Sequence, residues 1–339
     1  MRKNLLKNSG FPYSVDVASW LKPIKNSCTD SWYVKAEFQV EGQQYGFTWH
    51  EGTTLMPDHE DSSKLITIVS AESLFMDVAK DLFISNEITA LPDEKNGVDP
   101  DCMRVYSKWG ELSGDEKKMR LDLVIDDNEV HVDLEFNNEV MLNGGIGLIE
   151  FGSESSYESA VPNMKMEGTV KIQGREFKIE NAYAWFDRQV GLINQKDEPR
   201  LLEAGKSCWM WIGMPRLNGD RGAISLWDVY NPGRRNAFAT VIHEDGTERN
   251  VNCDITYDDI WTSEKTGFSY PRTVKVDMPE EDIHFTMTCM SGGTNQEFVR
   301  DPKGLSGCQC LYRTVGSYKG IPIDRAANVE MIGDLCGEE

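Results

Sequence analysis

The chain has 339 residues, of which 40% are hydrophobic and 27% charged, a composition typical of a folded globular protein. The formal net charge is −21, and such a field repels phosphate backbones and anionic lipid surfaces. The sequence contains no run of about 18 apolar residues, so we expect no membrane span. It therefore predicts a protein that binds neither nucleic acid nor membranes. The first residues lack the apolar stretch of a secretory signal, which predicts a cytoplasmic location.

Neither a metal nor another cofactor is predicted. The eight cysteines are scattered without a Cys-x-x-Cys, which favours reduced thiols over a zinc site or a disulfide framework. Cys308 and Cys310 can share one face of a strand, and we interpret them as core residues. His50 and His59 flank an acidic loop, but their spacing matches no zinc pattern.

Strand patterns dominate the chain. Residues 31–40 and 45–49 predict a hairpin, and residues 119–125 and 129–136 alternate cleanly between apolar and polar side chains. The clearest helix is predicted over residues 70–83, where Ser70 can cap an apolar stripe formed by Leu74, Val78 and Leu82. Many short strands against one helix predict an all-β protein built from barrels or sandwiches.

Two domains are predicted. A polar, proline-containing stretch suggests that they join near residues 192–204, which gives an N-terminal domain over 1–196 and a C-terminal domain over 197–339. Thr169-Val170 and Thr314-Val315 each precede a glycine turn and an apolar strand. This single echo suggests an internal duplication.

The segment 182–191 (AYAWFDRQVG) concentrates chemically useful side chains. In a strand, Tyr183, Trp185 and Asp187 would share one face, and Arg188 would lie on the other. That arrangement sets an acid beside two aromatic rings. The alternative is an ordinary amphipathic strand in which Asp187 and Arg188 are surface charges.

The same segment resembles the aromatic-x-Asp-x-x-x-Gly signature of the carotenoid 1,2-hydratase (hydroxyneurosporene synthase) and AttH-like family. Kievitone hydratase and several fungal Diels–Alderases are distant members of that family. Further segments fit the family in order, and the match covers roughly residues 30–335. These segments are Ser156-Tyr157 with Pro162 ahead of Gly168 and Gly174, Trp209-x-Trp211, Asp245-Gly246-Thr247, Tyr270-Pro271, and 316–320 with 328–334.

The resemblance implies two consecutive lipocalin-like β-domains with a ligand pocket near their junction. It also implies hydration of a prenyl-type or polyene double bond without a cofactor, with Asp187 as the acid and Trp185 as its aromatic helper. The chain departs from the family at Trp185, where the carotenoid enzymes have Tyr, and at Val190, where many relatives have Trp. The family's upstream catalytic histidine aligns with no histidine of this chain.

Protonation of an unactivated alkene requires a carboxylic acid that stays neutral near pH 7. Burial among aromatic rings would achieve this by penalising the carboxylate of Asp187, and Arg188 would point away without lowering its pKa. The faces of Tyr183 and Trp185 could stabilise the developing cation. The same features also suit a binding pocket with no chemistry.

Four further residues are candidates for substrate binding, each with a structural alternative. Gln189 could hold a water or a ligand carbonyl, or serve as a structural amide. Tyr157 could supply a pocket hydroxyl or anchor a loop, and Trp209 and Trp211 could line the pocket or pack in the core.

We therefore expect a cofactor-independent hydratase or lyase that acts on an apolar isoprenoid, polyene or polyketide-like small molecule. An isomerase or pericyclase, or a non-catalytic lipid or metabolite carrier, is the alternative, since lipocalin-like folds host both carriers and enzymes. The sequence leaves the oligomeric state undetermined.

Overall fold

The computed structural model describes residues 17–24, 27–61, 63–137, 139–151, 154–191, 207–217, 222–291, 296–300 and 305–337. Its strands are β1 Thr29–Val40, β2 Gln43–Pro57, β3 Leu65–Asp77, β4 Leu82–Ala90, β5 Gly97–Val98, β6 Met103–Ser107, β7 Gly110–Gly114, β8 Lys118–Ile125, β9 Asn128–Glu135, β10 Met141–Leu142, β11 Leu148–Phe151, β12 Glu154–Ile172, β13 Arg175–Gly191, β14 Cys208–Pro215, β15 Ala223–Asn231, β16 Arg234–Ile242, β17 Glu248–Asn252, β18 Asp254–Thr262, β19 Ser269–Met278, β20 Ile283–Cys289, β21 Glu297–Phe298, β22 Gly307–Tyr318 and β23 Ile321–Ile332.

Helical structure is sparse in the described part of the chain. It comprises one short α-helix, α1, and three 3-10 turns: Val17–Trp20, Val78–Lys80, Asn143–Gly145 and Pro279–Glu281. None of these described segments is long and apolar enough to cross a bilayer, which takes about 20 residues.

The described strands form two sheets, each antiparallel throughout. Sheet I has the order β4-β3-β2-β1-β13-β12-β9-β8-β7-β6-β5, with β10 and β11 also paired to β12. Sheet II has the order β17-β16-β15-β14-β23-β22-β20-β19-β18, with β21 paired to β22. In sheet I the first strand in the chain, β1, pairs with the last, β13, and in sheet II β14 pairs with β23 in the same way. The remaining strands follow in corresponding orders, as a duplicated fold would require. The predicted all-β, two-domain lipocalin-like fold is confirmed.

The predicted junction near 192–204 lies outside the described residues. Sheet I ends at Gly191 and sheet II begins at Cys208. The exact bounds of the two domains therefore remain a prediction.

The predicted helix over 70–83 is wrong. Strand β3 continues to Asp77, whose side chain accepts a hydrogen bond from the backbone N–H of Lys80 in a single 3-10 turn, and β4 follows. Leu74, Phe75 and Met76 are all buried, because both faces of this part of β3 are covered. A strand buried on both faces has a continuous apolar run, which periodicity cannot distinguish from a buried helix.

Three apolar cores result from this arrangement. Sheets I and II each enclose one core on the inner face, and a third core fills the space where the outer faces of the two sheets meet. We call this third cluster the intersheet core. Its buried members are Tyr33, Met141, Ile149, Phe151, Ala160, Trp185, Trp211, Ala223, Trp227, Val229 and Ile242.

Candidate active site between the two sheets

Strand β13 divides its side chains between two cores. Ala184 and Phe186 belong to the core of sheet I, while Trp185 belongs to the intersheet core. Asp187 is only 8% exposed and lines a cavity on the same outer face. The period of two in an extended strand therefore places the acid and its neighbouring indole together, and Asp187 is not a surface charge.

Both sheets line the cavity that contains Asp187. Its volume is about 60 Å³. That space holds a few water molecules or the end of a ligand, whereas a whole drug-sized ligand needs about 300–1,000 Å³. The lining residues are Ser31, Tyr33, His50, Phe151, Glu158, Asp187 and Gln189 from sheet I, and Trp209, Trp211, Trp227 and Glu330 from sheet II.

The carboxyl of Asp187 is held in its neutral form. Burial penalises the carboxylate and raises the pKa of Asp187 to about 8. The hydrogen bond from Trp185 and the charge of Lys35 oppose this rise, and Glu330 adds to it. At neutral pH, Asp187 is therefore mostly protonated and exists as a carboxylic acid.

Trp185 orients this acid. Its Nε1–H donates to Asp187 Oδ1 over 2.8 Å, which leaves the second carboxyl oxygen to carry the acidic proton. The indole is fully buried and packs edge-on against Trp211, with 6.0 Å between ring centroids. A Cβ atom at Gly213 would lie 2.6 Å from the Trp185 ring, so Gly213 makes room for the indole.

Arg188 has a separate, structural role on the opposite face of β13. It is fully buried, forms an ion pair with Asp30 and donates to the backbone oxygen of Ser31 over 2.7 Å. Its guanidinium lies 4.0 Å from the centroid of the Trp32 ring. As expected, Arg188 is not among the groups that shift the pKa of Asp187.

Three of the residues predicted to bind substrate line the cavity. These are Gln189, Trp209 and Trp211. Trp209 Nε1–H donates to Glu330 Oε1 over 3.2 Å, and Trp211 Nε1–H donates to Ser225 Oγ over 3.2 Å. Both indoles are therefore anchored with their rings available to the cavity.

Comparison with known proteins identifies the family. The sequence model described as AttH-like matches residues 20–302. The chain belongs to the AttH-like family. It is 26% identical over 166 residues to kievitone hydratase of Fusarium solani subsp. phaseoli, an alignment that spans 42% of this chain and 44% of that protein.

Two crystal structures share the AttH-like fold along nearly the whole chain. An AttH protein from Nitrosomonas europaea superposes with a TM-score of 0.77 at 16% identity, covering 97% of this chain and 100% of that one. Kievitone hydratase from Nectria haematococca superposes with a TM-score of 0.72 at 17% identity, covering 98% and 97%. At these identities the likeness establishes the fold.

Two other candidates of this AttH-like chain lie outside the cavity. Tyr157 is 44% exposed, because its neighbour Glu158 takes the inward position on β12. Tyr183 is half-buried, and the guanidinium of Arg216 covers its ring at 4.3 Å. Neither tyrosine contacts the cavity, so we do not assign them to the site.

The cavity of this AttH-like protein also contains titratable residues that were not predicted from the sequence to belong to the site, among them His50, which was considered only as a metal ligand. Burial raises the pKa of Glu158 well above its usual range, and the nearby Asp187 raises it further. Burial also raises the pKa of Glu330. Burial lowers the pKa of His50 to about 4, as does Arg300, so this side chain is a neutral imidazole at pH 7. The alternation of side chains along β12 could have indicated Glu158, because it follows Tyr157 and lies on the opposite face of the strand.

Proposed function

We propose that this protein is a hydratase that adds water across a carbon–carbon double bond of an apolar small molecule, without a cofactor. The observation that carries the proposal is the neutral carboxyl of Asp187 in a cavity lined by aromatic rings. The similarity to kievitone hydratase supports the same reaction class. The substrate class we propose is isoprenoid, polyene or polyketide-like.

The first step is transfer of a proton from Asp187 to the alkene. Because Oδ1 accepts the hydrogen bond of Trp185, the free oxygen of the carboxyl delivers the proton. The breaking O–H bond supplies the proton, the π electrons form the new C–H bond, and the adjacent carbon becomes a cation. A pKa of about 8 keeps the acid loaded at neutral pH while leaving it acidic enough to react.

The second step is stabilisation of this cation by the cavity wall. The rings of Tyr33, Phe151, Trp209, Trp211 and Trp227 surround the space beside Asp187. An aromatic face stabilises a nearby cation by roughly 0.5–2 kcal/mol, so several faces together lower the barrier appreciably. The small volume admits only the alkene end of a substrate, and the remainder must extend beyond the cavity.

The third step is capture of the cation by water. Glu158 and Gln189 are paired across β12 and β13 and both line the cavity. Glu158 Oε1 is buried without a hydrogen-bond partner among the described residues, so it can bind a water molecule in this position. The water oxygen forms the new C–O bond and releases one proton, which ends on the Asp187 carboxylate and restores the acid.

The test is the variant Asp187→Asn, assayed for binding and for turnover with kievitone and with a panel of isoprenoid and polyene alkenes. We expect binding to persist and hydration to fall by about 10²-fold or more, since an amide cannot donate the required proton. Asp77→Asn is the matched control, because Asp77 is also buried but lies away from the cavity. Retained turnover in Asp187→Asn would favour a pericyclase, and binding without turnover in the parent protein would favour a carrier.

A further inference from the structure

A row of polar side chains crosses sheet I from its edge to the cavity. Strand pairing sets Glu87 of β4 opposite Glu72 of β3, Glu72 opposite His50 of β2, and His50 opposite Tyr33 of β1. Tyr33 in turn lies opposite Asp187 of β13. Directly opposed residues on one face of an antiparallel sheet are neighbours, and four interstrand steps span about 19 Å.

The outer end of this row is accessible to solvent and its inner end is not. The side chain of Glu87 is 36% exposed, whereas that of Glu72 is 9% exposed. Arg300, which belongs to the sheet II half of the chain, bridges the two carboxylates. Its Nη2 lies 2.7 Å from Glu72 Oε2, and its Nε lies 3.0 Å from Glu87 Oε1.

Glu72, which is paired with His50 across β2 and β3, retains an unused polar atom. Its Oε1 is buried and has no hydrogen-bond partner among the described residues. A buried carboxyl oxygen without a partner is costly unless it exchanges a proton or binds water. Burial raises the pKa of Glu72 to about 7 against the opposing charge of Arg300, so both protonation states are populated near neutrality.

His50 connects this pair with the cavity. Its ring lies edge-on to Tyr33, with 5.4 Å between the ring centroids, and it lines the same space as Asp187. The groups that face His50 are Tyr33 and Glu72 from its own sheet, together with the charge of Arg300 and the side chain of Glu330, which lines the same cavity. Tyr33 accepts a 2.6 Å hydrogen bond from Gln309. We assign the step from His50 to Asp187 to a water molecule, which the cavity of about 60 Å³ can hold.

We propose that His50, Glu72 and Glu87 form a proton route between solvent and the cavity, with His50 as its inner end. The inference rests on the hydratase function proposed above, and it assigns residues that the proton-donor step does not use. Such a route lets the cavity exchange protons with bulk water while a substrate fills its entrance.

The proton balance of a turnover is closed by this route. Asp187 gives one proton to carbon, and the captured water loses one proton. His50 accepts the second proton on a ring nitrogen through the cavity water. The imidazolium then returns it to the Asp187 carboxylate, or exchanges it with solvent through Glu72 and Glu87. One molecule of water is added to the alkene, with no net proton change.

The test compares Glu72→Gln and His50→Ala with the parent protein. The substrate is the alkene that the parent protein hydrates in the panel described above. We expect kcat to fall by about tenfold or more, KM to stay unchanged and the solvent isotope effect on kcat to rise, because proton transfer becomes limiting. Added imidazole should restore kcat in His50→Ala, since it can occupy the space left by the ring.

Glu51→Gln is the matched control. Glu51 is adjacent to His50 and fully buried, but alternation places it on the inner face of sheet I. Its variant should retain kcat and the isotope effect. An unchanged kcat in both route variants, or a loss that leaves the isotope effect unchanged and does not respond to imidazole, overturns the route.

The same assay separates this inference from the proposed function. Loss of activity in Asp187→Asn together with full activity in Glu72→Gln and His50→Ala would refute the route alone. Full activity in Asp187→Asn would refute the acid and the route together. Thermal melting of each variant identifies a loss of activity that arises from unfolding.

Discussion

Asp187 and Arg188 are adjacent in the chain, yet their side chains lie on opposite faces of β13 and belong to separate environments. Asp187 faces the cavity between the sheets, and Arg188 forms a buried ion pair with Asp30 on the other face. Substitutions at the two positions should therefore have separate effects.

Removal of Arg188 should destabilise the fold. Arg188→Met leaves the buried Asp30 carboxylate without its partner, and we expect a loss of about 3–5 kcal/mol in the free energy of unfolding. Arg175→Met is the control, because Arg175 pairs with Glu41 at the surface and should contribute no more than about 1 kcal/mol. Urea titration measures both, and equal losses would contradict a special role for the buried pair.

Asp187→Asn should stabilise the protein in alkaline solution. The pKa of Asp187 is raised from 3.8 to about 8, so the folded state binds more protons than the unfolded state between these values. Stability from this group is fully present below pH 3.8 and is lost by up to about 1.4 kcal/mol per unit as the pH rises toward 8. The gain from the Asn variant should therefore increase from pH 5 to pH 8. A melting-temperature difference that stays constant with pH would contradict this assignment.

Trp185→Phe should impair orientation of the acid. Phenylalanine preserves most of the packing but removes the N–H that holds Asp187 Oδ1. We expect kcat to fall by about tenfold or more with little change in KM, because a misdirected acid loses its positioning advantage. Trp261→Phe, which alters an indole stacked on Tyr270 in sheet II, should leave kcat unchanged. Loss of binding without loss of kcat would instead indicate that Trp185 contacts substrate.

Gly213→Ala, on β14 of sheet II, should disturb the position of Asp187 by displacing Trp185. The added Cβ would meet the rigid rings of Trp185 at 2.6 Å and Trp211 at 2.8 Å, so the indoles must move. Gly46→Ala provides the comparison, because its Cβ would meet only the flexible ends of Met76 and Leu311 at 3.1 Å. We expect a drop in kcat for the first variant alone, and a crystal structure should show Trp185 displaced. Similar kinetics for both variants would contradict this packing argument.

Lys35→Met should move the alkaline limit of activity upward. The proposed mechanism requires protonated Asp187, so kcat should decline as the pH rises through about 8. Lys35 lowers the pKa of Asp187, and loss of its charge should raise that pKa and shift the decline to higher pH. The pH dependence of kcat measures the shift. A shift toward lower pH would show that the limiting group is not Asp187.

The sequence predicted well those features that depend on the alternation of side chains between the two faces of a strand. Alternation in β13 placed Trp185 with Asp187 and set Arg188 apart, because an extended strand permits no other arrangement. The same rule failed for β3, where Leu74, Phe75 and Met76 are buried together and the period disappears. Tyr183 was assigned to the correct strand but lies under Arg216, which comes from a distant segment.

The remaining residues of the cavity depend on strand pairing between distant segments. His50, Glu158 and Glu330 lie on β2, β12 and β23, and only the register and the meeting of the two sheets bring them to Asp187. Local patterns contain no information on such contacts. A pKa raised by burial is likewise a property of the assembled interior, so the sequence could suggest it for Asp187 but could not locate its neighbours.

The intersheet core also has a consequence for biosynthesis. Trp211 and Glu330, which help to enclose Asp187, belong to the half of the chain that leaves the ribosome last. Until that half docks, the sheet II wall of the cavity is missing and water can reach the Asp187 carboxyl. We therefore expect the raised pKa of Asp187 to develop only after the two sheets have met.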